Sequence, residues 1–376
     1  MNQSAEVLLK LIRIALGKEL EYSLPLSVDW KTVIDMSFEQ GVAALAVDGL
    51  QRIYDSIESR ESKEGIESLE ALDSPELEDL KYEWFGEVMN CEQDYGQRMG
   101  VARKIARIWH ERNIKAVVLK GASLAQYYPI PSHRYSCDLD LFAGEDWKAS
   151  VEALKEKGVD VSLAQYKDAQ FHLDGVYVEN HRYITPLRGD ERMQEFERYL
   201  RGVMKGSVLR QAQEPGCEIY SPSLLFNALF AVEHARGHLF EDKLTLRMVC
   251  DWMVLRRKVR EERLEVRVEE AIDRFGFRAF YDCYDALADV VEGQRSLEDL
   301  TPVQRRVWDE MMESSALQQA QEQGSVGSKS LFARHWGVLF TILRSGWKYK
   351  AFNYRSMPLH LLHTLWGHFI CRKVKL

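Results

Sequence analysis

The chain has 376 residues, which is enough for two or three domains with a substantial core. Apolar residues make up 46% and charged residues 29% of the sequence, a composition typical of a soluble globular protein. The formal net charge of −8 argues against a general nucleic-acid binder, because such proteins usually carry an excess of lysine and arginine. No run of 18 or more uncharged apolar residues is present, so the sequence predicts no membrane-spanning helix.

The six cysteines show neither a CxxC pair nor the spacing of a metal site. Residues 1–20 lack the pattern of a secretory signal peptide. We therefore expect reduced thiols and a cytoplasmic protein.

Residues 1–112 are predicted to form an N-terminal helical region. Residues 55–73 are polar and acidic, and we expect them to form a link without regular structure. Ser74-Pro75-Glu76 combines a cap, a proline at the first helical position and an acid in the first turn, which predicts the start of a helix running to about Arg112. The other predicted helices are Ser4–Leu16 and two within Asp29–Ile53, broken near Gly41.

A small α/β core is predicted over residues 113–220. Ala116–Leu119 has the length and β-branched content of a buried strand, and Lys120-Gly121 ends this apolar run. Ala122–Tyr128 is predicted to be a short helix, and a second strand carries Asp138 and Asp140. Side chains two positions apart on a strand point to the same face, so these two carboxylates are expected to project together.

Later elements bring a third acid to the same sheet. Phe171–Leu173 and Val176–His181 are predicted to pair across Asp174-Gly175, a favoured two-residue turn, so that Glu179 can lie beside the strand of the two aspartates. The remaining predicted elements are a helix over Glu145–Lys157, a strand over Val159–Tyr166, a helix over Gly189–Gly206 and extended chain over Ser207–Tyr220.

Residues 221–376 are predicted to form a C-terminal helical region, with a linker over Gln318–Lys329. From Lys329 to Leu376 the chain has nine lysines and arginines, nine aromatics and no acid. This basic tail could contact a membrane surface. The simpler interpretation is that its lysines and arginines pack against the acidic remainder of the protein. The predicted helices are Ser223–His238, Leu244–Val259, Arg263–Phe275, Phe277–Val291, Thr301–Glu313, Leu331–Arg344 and Pro358–Cys371.

The acids and the glycine turn together indicate a site for a metal-bound triphosphate. Mg²⁺ prefers carboxylate and phosphate oxygens, and a glycine before a helix lets backbone N–H groups approach phosphate. A D-x-D pair alone is a weak signal, because chance gives roughly one in a chain this long. The order of strand, K-G turn, helix, arginine-bearing loop and D-x-D strand is more specific.

This stretch resembles the uncharacterised bacterial nucleotidyltransferases of the polymerase-β-like superfamily, whose core contains L-K-G-x-x-L-A and then R-x-x-x-D-x-D-L. The matching residues are Leu119, Lys120, Gly121, Leu124, Ala125, Arg134, Asp138, Asp140 and Leu141. The family's third carboxylate lies in an acid-x-His pair, matched here by Glu179 and His181, with glutamate in place of the more usual aspartate. The superfamily's Gly-Ser turn is Gly121-Ala122, so only Ser123 could supply the serine contact. The resemblance covers residues 114–183 and is weaker over 222–256.

The resemblance implies an α+β fold with a small mixed sheet between helical flanks. It implies that Asp138, Asp140 and Glu179 are the catalytic residues and bind Mg²⁺ or Mn²⁺. The triphosphate of an NTP, with ATP as the first candidate, would contact Lys120, Gly121, Ala122, Ser123 and Arg134. The product would be an NMP attached to an unknown hydroxyl acceptor. A nucleic-acid partner is not expected, because the net charge is −8.

Several alternatives stay open at this point. The same fold could bind a nucleotide or a partner without turnover. Arg134 could contact phosphate or pair with Asp138, and Lys120 could contact phosphate or cap the loop. His181 could orient Glu179, act as a base or be structural.

The C-terminal helices carry further open assignments. His234 and His238 share one helix face without the motif of a zinc site, and Arg247 is expected to pack with Asp251. The sequence does not identify the acceptor, the preferred base or the oligomeric state.

Overall fold

A computed structural model describes residues 2–19, 23–58, 72–164, 168–185, 191–205, 209–210, 218–241, 243–313 and 346–352. It shows an α+β fold in which a mixed sheet lies between helices from both ends of the chain. The predicted helices 331–344 and 358–371 and the linker 318–329 lie outside the described residues.

The N-terminal region is helical, as predicted. Asn2 and Asp29 cap the first two helices with their side chains, and the second helix ends just before Gly41, whose φ is +66°. The third helix runs to Glu58, so the start of the predicted acidic link is helical. The helices are α1 (Gln3–Ala15), α2 (Trp30–Glu39), α3 (Ala43–Glu58) and α4 (Pro75–His110).

Seven described strands form one sheet in the order β3-β4-β5-β2-β1-β7-β6. Strand β2 is antiparallel to β1 and parallel to β5, and β1 is parallel to β7, so the sheet is mixed. The strands are β1 (Ala116–Val118), β2 (Leu139–Phe142), β3 (Ser162–Ala164), β4 (Asp168–Leu173), β5 (Val176–His181), β6 (Leu209–Arg210) and β7 (Ile219–Ser221).

Local details of the core differ from the sequence prediction at two places. Strand β2 begins at Leu139, so Asp138 precedes the strand instead of lying on it. The helix after β1 spans Lys120–Ala125 and not Ala122–Tyr128, and its first residue, Lys120, has a left-handed φ of +44°. The helices of the core are α5 (Lys120–Ala125), α6 (Trp147–Glu156) and α7 (Glu191–Lys205).

Five helices predicted between residues 223 and 313 are present, and a further short one lies at residues 346–351. They are α8 (Leu224–Glu241), α9 (Leu246–Glu261), α10 (Glu265–Arg274), α11 (Arg278–Val291), α12 (Pro302–Met312) and α13 (Gly346–Ala351). In the described part of the chain, no helix combines the length and the apolar character needed to cross a bilayer.

Both faces of the sheet are covered, which decides where the acids point. Val118 and Leu141 belong to the core that packs against the C-terminal half of α4 and against α6. Val117 and Phe142 face the opposite core, built from α1–α3 and the C-terminal helices. Asp140 lies two residues before Phe142 and shares its face, so its side chain is directed toward the C-terminal helices. The division into three domains stays a prediction.

Candidate active site

The register of two parallel strands brings three polar side chains together. Asp140 pairs with Glu179, and Phe142 with His181, in the β2–β5 ladder. Glu179 and His181 are two residues apart and therefore lie on the face of Asp140. One ligand atom from each of Asp140, Glu179 and His181 lies within 4.8 Å of the others.

Asp140 is the buried centre of this cluster, with 1% of its surface exposed. Its Oδ1 accepts hydrogen bonds from Lys120 Nζ at 2.5 Å and His181 Nε2 at 2.6 Å. Burial alone would raise the pKa of Asp140, but Lys120 and His181 outweigh burial and hold the pKa well below its usual range. The other oxygen, Oδ2, is buried with no hydrogen-bond partner among the described residues.

Lys120 places a positive charge between the two carboxylates. Its Nζ lies 3.8 Å from the Glu179 carboxylate as well as 2.5 Å from Asp140. Burial would lower the pKa of Lys120, but Asp140 and Asp138 outweigh it and raise that pKa above its ordinary value. The ammonium is therefore charged and offsets the repulsion between neighbouring acids.

Asp138 lies beside the cluster and outside the group within 4.8 Å. Burial and the charge of Asp140 raise the pKa of the Asp138 carboxyl, while Lys120 and Arg247 act in the opposite direction. No described lysine, arginine or histidine lies within 4.0 Å of its carboxylate. Asp138 is thus electrostatically coupled to Asp140, and its role as a metal ligand stays a prediction.

The glycine of the K-G turn is required by packing. A Cβ on Gly121 would overlap Ser136 Oγ and lie 2.7 Å from Arg134 Nη1. Ala122 and Ser123 are buried behind it. The Ser123 hydroxyl shares a hydrogen bond with Ser221 at 2.6 Å and donates to Asn227 at 3.0 Å, which ties α5 to the end of β7 and to α8. A serine contact to phosphate would require these bonds to break.

Arg134 pairs with Asp251 and not with Asp138. Its Nε and Nη2 donate to the two Asp251 oxygens at 3.0 and 2.6 Å, and its Nη1 donates to the Tyr135 carbonyl. Tyr128 also donates to Asp251, at 2.8 Å. Through this ion pair, Asp251 of α9 binds the loop that precedes Asp138. The expected pair between Arg247 and Asp251 is therefore not formed. A phosphate contact by Arg134 would need this buried ion pair to open.

Helices α8 and α9 contribute further residues next to the cluster. Burial, followed by the charge of Lys120, holds the pKa of His234 well below its usual value, so this imidazole is neutral. The ring of His238 lies 4.6 Å from that of His234, edge to face. Arg247 donates from Nη1 to the Tyr135 carbonyl at 3.3 Å. These histidines and this arginine can be picked out in the sequence, but only the fold brings them near the acidic cluster.

The donor set fits a divalent cation. Asp140 and Glu179 supply the oxygens that Mg²⁺ and Mn²⁺ prefer, and His181 Nε2 lies beside them, where it donates to Asp140. The buried Oδ2 of Asp140 is a carboxylate oxygen that still lacks a hydrogen-bond donor among the described residues. A cation at this position would satisfy that oxygen.

A family model described as uncharacterised nucleotidyltransferase matches residues 27–290. The match covers more than half of the chain and extends from α2 to α11, so it includes the sheet, the acidic cluster and helices α8 and α9. The chain belongs to this family. No curated protein and no solved structure matches the chain at a significant level.

Proposed function

We propose that this member of the nucleotidyltransferase family transfers an NMP from an NTP to a hydroxyl acceptor, with ATP as the first nucleotide to test. The observation that carries the proposal is the side-by-side register of Asp140 and Glu179, with Asp138 electrostatically coupled to Asp140. Paired carboxylates on one sheet face are suited to hold a divalent cation at a phosphate.

The reaction forms a bond between the acceptor oxygen and the α-phosphorus and breaks the bond from that phosphorus to the bridging oxygen, so pyrophosphate leaves. Mg²⁺ or Mn²⁺, held by Asp138, Asp140 and Glu179, would neutralise charge on the phosphates during this displacement. Catalysis by the protein is then mainly positioning and charge stabilisation.

Each residue of the cluster has a distinct role in this proposal. Glu179 takes the acceptor's proton, because its side chain is 18% exposed whereas that of Asp140 is 1% exposed. Lys120 stabilises the negative charge of the triphosphate. His181 donates to Asp140 and holds that carboxylate in orientation, which assigns it a positioning role.

A second candidate is a non-catalytic module that binds a nucleotide or a partner. Two observations favour it: the Lys120 ammonium lies against Asp140, and Asp138 is outside the group within 4.8 Å. Such a module would bind a nucleotide through the same residues and release it unchanged.

Incubation with each of the four NTPs, labelled at the α-phosphate, separates the two candidates. The reaction contains the full chain, Mg²⁺ or Mn²⁺, and fractions of a cell lysate as a source of acceptor. Label transferred to the protein or to a lysate component, with release of pyrophosphate, supports the transferase. Metal-dependent binding without transfer supports the binding module, and absence of binding to every NTP contradicts both the transferase and a module that binds a nucleotide.

A further inference from the structure

Arg247, in the first turn of α9, is half-buried without a carboxylate partner. Among the described residues no Asp or Glu oxygen lies within 4.0 Å of its guanidinium. The guanidinium donates a hydrogen bond of 3.3 Å to the Tyr135 carbonyl and lies 5.9 Å from the centroid of the Tyr135 ring. A guanidinium has five N–H donors, so Arg247 keeps donors to spare for an anion.

Two other buried arginines that pair with carboxylates of the C-terminal helices show the contrast. Arg134 binds both oxygens of Asp251. Arg256 lies within 2.8 Å of Asp285 and Asp289 oxygens and has Glu292 on its other nitrogen. Buried cations normally need such partners, because an uncompensated buried charge is costly. Arg247 is therefore the member of this group whose counter-ion is not supplied by the described chain.

The position of Arg247 is set by the corner between α2 and α3. Its backbone N–H donates to the Gln40 carbonyl at 3.2 Å, and the Leu246 N–H donates to the Gln40 side chain at 2.8 Å. Gly41 follows, and a Cβ there would lie 3.3 Å from Arg247 Cδ. The backbone of Arg247 is thus fixed by Gln40, and the guanidinium is oriented by its hydrogen bond to Tyr135, which lowers the entropic cost of binding.

The charges around Arg247 place it at the acidic cluster. Burial and Asp140 raise the pKa of the neighbouring Asp138 carboxyl, and the positive charge of Arg247 acts against that shift. Arg247 also contributes, after burial, Lys120 and His238, to the low pKa of His234. Its hydrogen-bond acceptor, Tyr135, lies three residues before Asp138. Arg247 and Lys120 therefore act on the same space in front of the sheet, one from α9 and the other from the K-G turn.

We propose that Arg247 binds the polyphosphate of the nucleotide, as the second cation of a site whose first cation is Lys120. This inference rests on the proposed function and names the group that recognises the anionic part of the substrate. Arg247 can do so without opening an ion pair, whereas Arg134 cannot. A planar guanidinium can also bind two phosphate oxygens at once.

Isothermal titration of the full-length chain with ATP, AMP and inorganic triphosphate tests the assignment. Arg247→Gln is expected to weaken the binding of ATP and of triphosphate about ten- to hundredfold, which is the effect of losing charge-assisted hydrogen bonds. The affinity for AMP, which lacks the polyphosphate, should fall much less. Arg247→Lys keeps the charge but not the two-pronged geometry and should give an intermediate loss.

The matched control is Arg257→Gln on the same helix, where an exposed arginine pairs with Glu261 at 3.0 Å. This variant should bind as the wild type does. Near-ultraviolet circular dichroism checks the fold of each variant, and Arg247→Lys carries the test if Arg247→Gln does not fold.

Equal triphosphate affinity in the wild type and the folded Arg247 variants would overturn the assignment, as would a wild-type chain that does not bind triphosphate. The proposed function fails separately. Arg247-dependent binding of triphosphate, with no transfer of the α-phosphate, would support the role of Arg247 and contradict the transferase. Transfer at unchanged rate and affinity in the Arg247 variants would support the transferase and contradict the role of Arg247.

Discussion

Asp140 and Glu179 are direct register partners in the parallel pair of β2 and β5. Two carboxylates fixed side by side by backbone hydrogen bonds repel each other. Lys120, at 2.5 Å from Asp140 and 3.8 Å from Glu179, offsets that repulsion, and His181 adds a hydrogen bond to Asp140. The chain thus maintains a dense negative site at a fixed geometry, which is the requirement for binding a cation beside a phosphate.

Asp138 can be removed at little structural cost. Burial and Asp140 disfavour its charged form, and it has no ion-pair partner within 4.0 Å among the described residues. Asp138→Asn should therefore leave the melting temperature in metal-free buffer unchanged or higher. Transfer should fall by about 10²–10³, the usual effect of losing one electrostatic group of an active site.

Differential scanning calorimetry in EDTA and the α-phosphate assay measure the two effects. Asp160→Asn, at an exposed position, is the isosteric control for both. A lower melting temperature for Asp138→Asn alone would show that Asp138 stabilises the fold and would remove the argument for a functional acid.

The Gly121 position should not tolerate a methyl group. Gly121→Ala would press on Ser136 and Arg134 and should cost about 1–3 kcal/mol of unfolding free energy, the range for overpacking. Ser136→Gly in the same chain removes the Ser136 atoms and leaves Arg134 in the way, so it should restore part of the loss, which a double-mutant cycle by urea denaturation measures.

Gly100→Ala is the control for that cycle, because a Cβ at this helical position meets nothing within 4 Å. It should stabilise α4 by about 0.5–1 kcal/mol. A Gly121→Ala variant as stable as the wild type would contradict the packing explanation of this glycine.

His133 should make stability depend on pH. Its ring nitrogens contact Asp48 of α3 at 2.8 Å and Glu92 of α4 at 3.2 Å. Burial would lower the pKa of His133, but these two acids outweigh burial and raise it above 6.5. A raised histidine pKa gives stability that is complete below the unfolded value and is lost as pH rises through the folded value.

We therefore expect His133→Gln to lower the free energy of unfolding by about 1–2 kcal/mol near pH 6 and by less near pH 9. Urea unfolding at both pH values measures the difference, with the exposed His110→Gln as control. A cost that stays constant or grows with pH would contradict the sign of the pKa shift.

The features that follow from local chain geometry could be predicted from the sequence. Alternation along a strand and a two-residue turn place Glu179 beside Asp140, and the turn residues Asp174 and Gly175 have the positive φ values of 49° and 81° that such a turn requires. The start of α4 at Pro75 follows equally from the proline at its first position and the acids of its first turn, whereas Ser74 makes no side-chain capping hydrogen bond.

The features that depend on contacts across the chain could not be predicted. Arg134 and Asp251 are 117 positions apart, and nothing in the spacing chooses Asp251 over Asp138 as the partner. The Ser123 hydroxyl could face a phosphate or the protein, and its bond to Ser221 decides for the protein. Because Asp251 pairs with Arg134, no carboxylate of the described residues lies within 4.0 Å of Arg247, and the sequence alone does not predict this.

Comparison of wild-type chain with Asp140→Asn in transfer from α-phosphate-labelled NTP tests the central claim most directly. The variant keeps the side-chain shape, and Lys120 keeps Glu179 as a partner, so circular dichroism should show an intact fold. The account predicts a loss of transfer of about 10²–10³ or more, with Asp160→Asn at the wild-type rate. Undiminished transfer by folded Asp140→Asn would contradict the proposed mechanism.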